Sequence, residues 1–130
     1  MKVLLSIKPE FAERIFDGSK KYEYRRTIFK RPEVVAVVVY ASRPVGRIVG
    51  EFKVGRILHG DPEDLWTQTS SYSGITRSHF LEYFSNRAKG YAIEIRQASR
   101  YGAPICLDEL MLSSPPQSFM YLSTVPCGSP

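Results

Sequence analysis

The sequence predicts a mixed α+β fold: a small barrel or curled sheet of five to six strands, with two to three short helices at its rim. Three observations carry that prediction. The chain opens strand–helix–strand between Lys2 and Arg26. Val34 to Tyr40 is apolar and β-branched at nearly every position, and Val45 to Leu58 is a long strand-like run punctuated by Gly46, Gly50 and Gly55. A doubly wound sheet would need more regular alternation of strands and helices. The opening unit also lacks the glycine-rich phosphate loop of dinucleotide binders.

Each element follows from local pattern. From Lys2 to Lys8, Val3, Leu5 and Ile7 alternate with more polar positions, as in a half-buried strand. Pro9 suits the first position of a helix, where its missing N–H costs nothing. Phe11, Ala12, Ile15 and Phe16 give that helix an apolar stripe, and Gly18 supplies a left-handed stop. From Lys20 to Arg26 the alternation returns, with Tyr22 and Tyr24 on one face and Lys21, Glu23 and Arg25 on the other. The Val34–Tyr40 run is that of a central strand covered on both faces. Val45 to Leu58 reads as one long strand or two joined by a bend, its glycines placed where a sheet bulges or turns a corner.

Asp61-Pro62-Glu63-Asp64 starts a helix with a capping aspartate, a proline and first-turn acids; it carries Leu65 and Trp66. Residues 67–74, rich in Ser and Thr, read as a loop. Thr76 caps a second helix from about Arg77 to Asn86 that buries Phe80, Leu81 and Phe84. Tyr91, Ile93 and Ile95 mark a strand, Pro104 to Leu107 a shorter one, and Phe119 to Leu122 a last one after the Pro115-Pro116 break. Residues 1–122 thus form one domain, and 123–130 a tail expected to fray.

The 130 residues, 43% hydrophobic and 24% charged, have the composition of an ordinary globular chain and not of a disordered one. The longest apolar run, Val34 to Ala41, falls far short of the roughly 20 residues of a membrane-spanning helix. The N-terminal apolar stretch is too short for a signal-peptide core. Cys106 and Cys127 form no metal spacing or disulfide framework. A cytoplasmic protein with free thiols, no membrane partner and no cofactor is the expectation.

The net charge of +5 is unevenly spread. Residues 1–60 carry thirteen Lys and Arg against six Asp and Glu, a balance of +7, and residues 61–130 balance at −2. Lys20, Lys21, Arg25, Arg26, Lys30 and Arg31 crowd together with Glu23 as the sole acid among them. Such a cluster attracts phosphates and makes binding salt-sensitive; a solvated basic face is the plainer alternative.

The most informative stretch is Gly18-Ser19-Lys20-Lys21-Tyr22-Glu23-Tyr24-Arg25, which fits G-x-K-x-x-E-x-R. A glycine ends a helix, Lys20 sits in the turn, and Glu23 and Arg25 project from one side of the strand that follows. A carboxylate between two cations fixes their positions, so the unit either presents pre-ordered donors to an anionic or carbonyl-bearing ligand or is a structural ion-pair network.

This signature, directly after a first strand–helix unit, resembles the ASCH domain, a branch of the PUA-like superfamily. Leu5-Ser6-Ile7-Lys8-Pro9, the strand ending Tyr40-Ala41-Ser42, Val49-Gly50-Glu51-Phe52 and Tyr91-Ala92-Ile93 agree with it, over roughly residues 2–96. Pro115 to Leu122 resembles the last strand of a subgroup labelled transcriptional regulators; no helix-turn-helix supports that label. The resemblance implies a small β-barrel whose cleft is lined by Lys20, Glu23 and Arg25 and binds RNA, single-stranded by expectation, or a modified nucleoside.

Some members are similar enough to imply hydrolysis of acetylated cytidine or cleavage of single-stranded RNA; if this chain is such an enzyme, the catalytic residues are Lys20, as base or charge stabiliser, and Glu23, which sets its orientation. The amidohydrolase-type members have a threonine where this chain has Glu23, so the same covalent mechanism does not carry over.

Other candidates are weaker. Lys8 closes the first strand within reach of the same cleft, and Arg26 extends the basic stretch. Tyr40 and Ser42 end the central strand, and Trp66 could stack on a base or sit in the core. His59 and His79 lack a neighbouring carboxylate at ligand spacing, so no metal site is expected. A small phosphate-bearing metabolite would attract the same charges as RNA.

Overall fold

Alternation along β1 (Lys2–Ile7) sets the architecture seen in the computed structural model, which describes residues 1–122. Val3, Leu5 and Ile7 point into one core with Ala12 and Ile15 of α1 (Pro9–Asp17), while Leu4 points into a second core on the opposite face. Next come β2 (Tyr22–Arg25), β3 (Ala36–Ala41) and β4 (Arg47–Gly60). They are followed by α2 (Pro62–Thr69), α3 (Arg77–Tyr83), β5 (Gly90–Ile105) and β6 (Met120–Leu122), with 3-10 turns at Ser70–Tyr72 and Leu107–Leu110.

Among the described residues the six strands form one sheet in the order β2-β5-β4-β3-β1-β6. β1 and β3 are parallel and the other neighbours antiparallel. β3 is buried along its whole length: Val37, Val39 and Ala41 face the first core, Val38 and Tyr40 the second. A strand covered on both faces is what its unbroken β-branched run requires.

Strand pairing leaves β2 and β6 as edges, so the expected barrel is not closed by a hydrogen-bonded ladder among these residues. Side chains span the gap instead. Arg25 Nη2 donates to the Ser118 carbonyl at 2.8 Å, the Thr27 and Ser118 hydroxyls share a 2.8 Å hydrogen bond, and Tyr121 Oη accepts from Lys30 N–H at 3.0 Å.

Several boundaries differ from expectation. β4 is one 14-residue strand, the first of the two forms expected for residues 45–58 though shifted two positions along the chain, and its irregularities are register shifts, among them one between Ile48 and Gly50. A Cβ at Gly50 would lie 2.5 Å from the Ser99 carbonyl oxygen and 2.6 Å from the Phe16 ring, so this glycine marks a close approach. The separate strands expected around Tyr91–Ile95 and Pro104–Leu107 are the two ends of the 16-residue β5, continuous because β4 pairs with it from Ile48 to Gly60.

The expected loop over 67–74 is partly helical, since α2 runs to Thr69 and a 3-10 turn follows. α3 ends at Tyr83, short of Asn86, and Leu81 is 38% exposed. Phe80 and Phe84 alone of the expected trio are buried, in a third cluster with Tyr24, Leu65 and Ala92. The tail expected to fray lies outside the described residues. No helix among those described is long and apolar enough to cross a membrane.

Candidate functional site

The site begins at the end of α1. Gly18 adopts a left-handed conformation (φ 89°), open to glycine without steric penalty, and stops the helix. The Asp17 carboxylate then accepts from Ser19 N–H at 2.8 Å, and Lys20 N–H donates back to the Arg14 carbonyl at 3.0 Å. Lys21 continues into the sheet, its N–H bonded to the Tyr72 carbonyl and its carbonyl to Ile95 N–H. These bonds turn the Lys20 side chain inward while β2 sends Glu23 and Arg25 toward the same hollow.

Lys20 is 2% exposed and Glu23 7%. Lys20 Nζ donates to the Ser73 carbonyl at 2.8 Å and lies 3.9 Å from Glu23 Oε1. It also sits over the rings of Tyr24 (4.9 Å) and Phe11 (5.5 Å). On its other oxygen Glu23 meets Arg25 Nη1 at 3.3 Å, and the same guanidinium donates to the carbonyls of Ser6 and Ser118.

Burial pushes the Lys20 ammonium down to about 8, against the opposing pull of Glu23; Arg14 adds to the lowering. Burial likewise pushes the Tyr24 phenol up to about 12, although its hydroxyl is bonded to Thr69 Oγ1 at 2.6 Å.

Between these groups lies a cleft of about 190 Å³. Ser6, Ile7 and Lys8 at the end of β1, Phe11 of α1, Lys20, Glu23, Tyr24 and Arg25, and Ile75, His79 and Tyr83 line it, with the Phe11 and His79 rings meeting edge to face at 5.2 Å. Its size is below the roughly 300–1,000 Å³ of pockets for drug-sized ligands. Its chemistry is an aromatic wall around an ammonium, a carboxylate and a guanidinium, able to hold a small flat group by stacking and satisfy its polar edge with both donors and an acceptor.

The Lys20 titration gives a testable pH dependence. Its folded value is below the ordinary 10.5, so from about pH 8 to 10.5 the unfolded chain binds more protons at this group and stability should rise with pH. Above about pH 10 the raised phenols of Tyr24, Tyr83 and Tyr101 act in the opposite sense. Urea unfolding between pH 7.5 and 9.5 should therefore show a rise for the natural chain that is absent in Lys20→Met. Identical slopes for the two would disprove the burial effect.

The structure brings together Lys8, Lys20, Glu23 and Arg25 of the residues singled out in the sequence. Arg26 lies in an adjoining depression, its guanidinium over the Tyr83 ring at 4.3 Å. Tyr40 is elsewhere, buried in the second core with Leu4, Ile48 and Tyr101, because its register on β3 turns it to the opposite face. Ser42 caps the end of β1 through its N–H to the Ile7 carbonyl and is not part of the cleft wall. Trp66 packs on Phe80 (centroids 4.9 Å apart) in the third cluster.

The basic stretch is not one surface: Lys20 is inside, Lys21 lies over Tyr72, and Arg31 over Tyr121. Phe11, His79 and Tyr83 are cleft residues that sequence reasoning did not place there. His79 and Tyr83, four apart on α3, were readable as one helix face. Phe11 was indistinguishable from a core residue. Among the described residues no group of three His, Cys, Asp or Glu side chains is placed to hold a metal ion.

A family model described as the ASCH domain matches residues 5–103. Over 125 residues the chain is 30% identical to a protein of Zymomonas mobilis named ASCH domain-containing ribonuclease, covering 93% of this chain and 84% of that protein. The crystal structure of ASCH from Zymomonas mobilis superposes with a TM-score of 0.86 at 30% identity, covering 93% and 87% of the two chains.

Two Ureaplasma parvum proteins share only part of their length with it. One, named ATP synthase subunit alpha, is 31% identical over 121 residues, and this chain spans 15% of it. The other, named large ribosomal subunit protein uL22, is 28% identical over 122 residues, and this chain spans 39% of it.

Proposed function

The chain belongs to the ASCH domain family, and from that premise we propose that it binds single-stranded RNA by admitting one unpaired nucleobase into the Lys20–Glu23–Arg25 cleft. The observation that carries this reading is the placement of a buried carboxylate between an ammonium and a guanidinium, in a cleft also lined by Phe11, Tyr24, His79 and Tyr83. RNA is read in sequence mainly where bases are unstacked, set against aromatic faces and hydrogen-bonded along their edges. Glu23 would accept from a base amino or imino group, and Lys20 and Arg25 would donate to ring carbonyls.

Binding of a short single-stranded RNA should weaken about tenfold or more in Glu23→Gln, the loss expected for one charged hydrogen bond. It should be little changed in Lys53→Ala, an exposed position outside the cleft. Equal losses in both variants, or no RNA binding by the natural chain at low salt, would overturn the reading.

A second reading, RNA cleavage, is favoured by the depressed Lys20 value together with the relative named a ribonuclease. A neutral Lys20 amine would take the proton from a ribose 2′-hydroxyl as that oxygen attacks the adjacent phosphorus. The 5′-oxygen leaves and takes a proton from water, giving a 2′,3′-cyclic phosphate and a 5′-hydroxyl. Arg25 would neutralise charge on the phosphoryl oxygens. Those two product ends, lost in Lys20→Met, would identify this activity; intact RNA under tight binding would exclude it.

A further inference from the structure

Beside the cleft, and sharing Arg25 and Tyr83 with it, lies a second depression of about 200 Å³ whose walls also include Arg26, Thr27, Arg87 and Gln117. Its charge is of one sign: three guanidinium groups and no carboxylate among the lining residues. Arg25 is the wall between the two hollows, with one face toward Glu23 and Nη2 bonded to the Ser118 carbonyl.

Arg26 is held in place by its Nε donating to the Tyr83 carbonyl at 2.9 Å and by stacking on the Tyr83 ring. That anchorage uses one of its five N–H donors and leaves the fork of its terminal nitrogens unoccupied by any carboxylate among the described residues. Arg87 follows Asn86, whose left-handed conformation (φ 63°) turns the chain after α3, and its N–H donates to the Phe84 carbonyl. Among the described residues the Arg87 side chain has no acidic partner either. Bringing like charges together without counter-charge costs stability. Planar guanidinium forks with a hydroxyl and an amide beside them match the oxygens of a phosphate.

We propose that this depression is a phosphate subsite of the cleft, so that the ligand is a nucleotide unit of a strand, with its base over Glu23 and its phosphate between Arg26 and Arg87. The inference rests on the nucleobase reading above and adds the class of ligand: phosphorylated nucleotides over free nucleosides. Arg25, touching both hollows, sets the spacing between base and phosphate. Interactions of this kind supply affinity and register without sequence information.

The test uses the full chain with Arg26→Gln/Arg87→Gln, and with Arg87→Gln alone as a variant at an exposed position that carries no described side-chain bond. Probes are a short single-stranded RNA across a salt series, a nucleoside against its monophosphate, and inorganic phosphate as competitor. The double variant should bind the RNA about tenfold to a hundredfold more weakly at low salt. Its log K against log salt slope should be shallower by roughly 0.7 for each phosphate that is no longer neutralised. The natural chain should prefer the monophosphate to the nucleoside and be competed by phosphate, and the double variant should show neither effect; Arg87→Gln should fall between them.

An unchanged salt slope in the double variant while Glu23→Gln still weakens binding overturns the subsite and leaves the base cleft standing. Phosphate binding abolished in the double variant, with Glu23→Gln neutral, supports the subsite and removes the nucleobase reading. Absence of any difference between phosphate and phosphate-free probes overturns the proposal outright.

Discussion

Gly74→Ala is expected to lower stability by about 2–5 kcal/mol, combining roughly 1–2 for a left-handed residue with a Cβ and 1–3 for overpacking. Gly74 has φ +69°, and a Cβ there would run into the aliphatic stem of Lys20 at Cβ, Cγ and Cδ. The obstacle is the near end of a side chain that is itself buried, with Nζ pinned to the neighbouring Ser73 carbonyl, so it has little freedom to swing away.

The segment cannot easily lift instead. Arg14 Nη1 holds the Gly74 carbonyl at 2.7 Å, Lys21 N–H holds the Tyr72 carbonyl, and Ser73 Oγ bonds within the turn to the Ile75 carbonyl. Thermal and urea unfolding would measure the loss, and under the proposed function RNA binding by the folded fraction should fall with it because the ammonium is displaced. A destabilisation below about 1 kcal/mol would mean that the 70–75 segment yields without strain.

Glu23→Ala should be comparably severe and, unlike Gly74→Ala, strongly dependent on pH. Removing one partner of a buried ionic cluster costs about 3–5 kcal/mol, because the remaining charges keep their desolvation penalty without compensation. Two cations are left here, and they respond differently. Arg25 keeps its carbonyl acceptors, Ser6 and Ser118.

Lys20 can shed its proton, and losing Glu23 removes the influence that raises its value, so it neutralises at lower pH than in the natural chain. Below that value both folded and unfolded Lys20 are charged and the full penalty applies; above it the folded amine is neutral and the penalty is relieved. The loss of stability should thus be larger at pH 6 than at pH 9, read from paired urea titrations. The same loss at both values would show that Lys20 is not the group left uncompensated.

Much of the fold was legible because it is dictated by neighbours along the chain. The apolar alternation of Val3, Leu5 and Ile7, the proline and glycine that bracket α1, and the Asp61 and Thr76 caps act within a turn or two, and the caps are formed as their residue types require. Boundaries were less legible where a partner decides them. Nothing local distinguishes one 16-residue β5 from two short strands, since its continuity is imposed by pairing with β4. Leu81 fits the apolar stripe of α3, but the helix is rolled by the packing of Phe80 on Tyr24 and Trp66, which leaves Leu81 outside.

The candidate site divides the same way. Glu23 and Arg25 could be assigned to one side of a strand by counting alternate residues, and the glycine stop told where that strand begins. Tyr40 could not be excluded, because the end of a central strand is a sensible place for a ligand until its register shows which face it takes. Arg26 and Arg87, 61 positions apart, became a unit only in space.

By itself, then, the sequence determined the periodicities, the caps and the order of cation, carboxylate and cation around the first turn. Tertiary structure alone decided that Lys20 is buried, since the carbonyl that receives it belongs to Ser73, 53 residues away. A local pattern fixes backbone direction through bonds between near neighbours, whereas desolvation depends on whichever distant segment displaces the water.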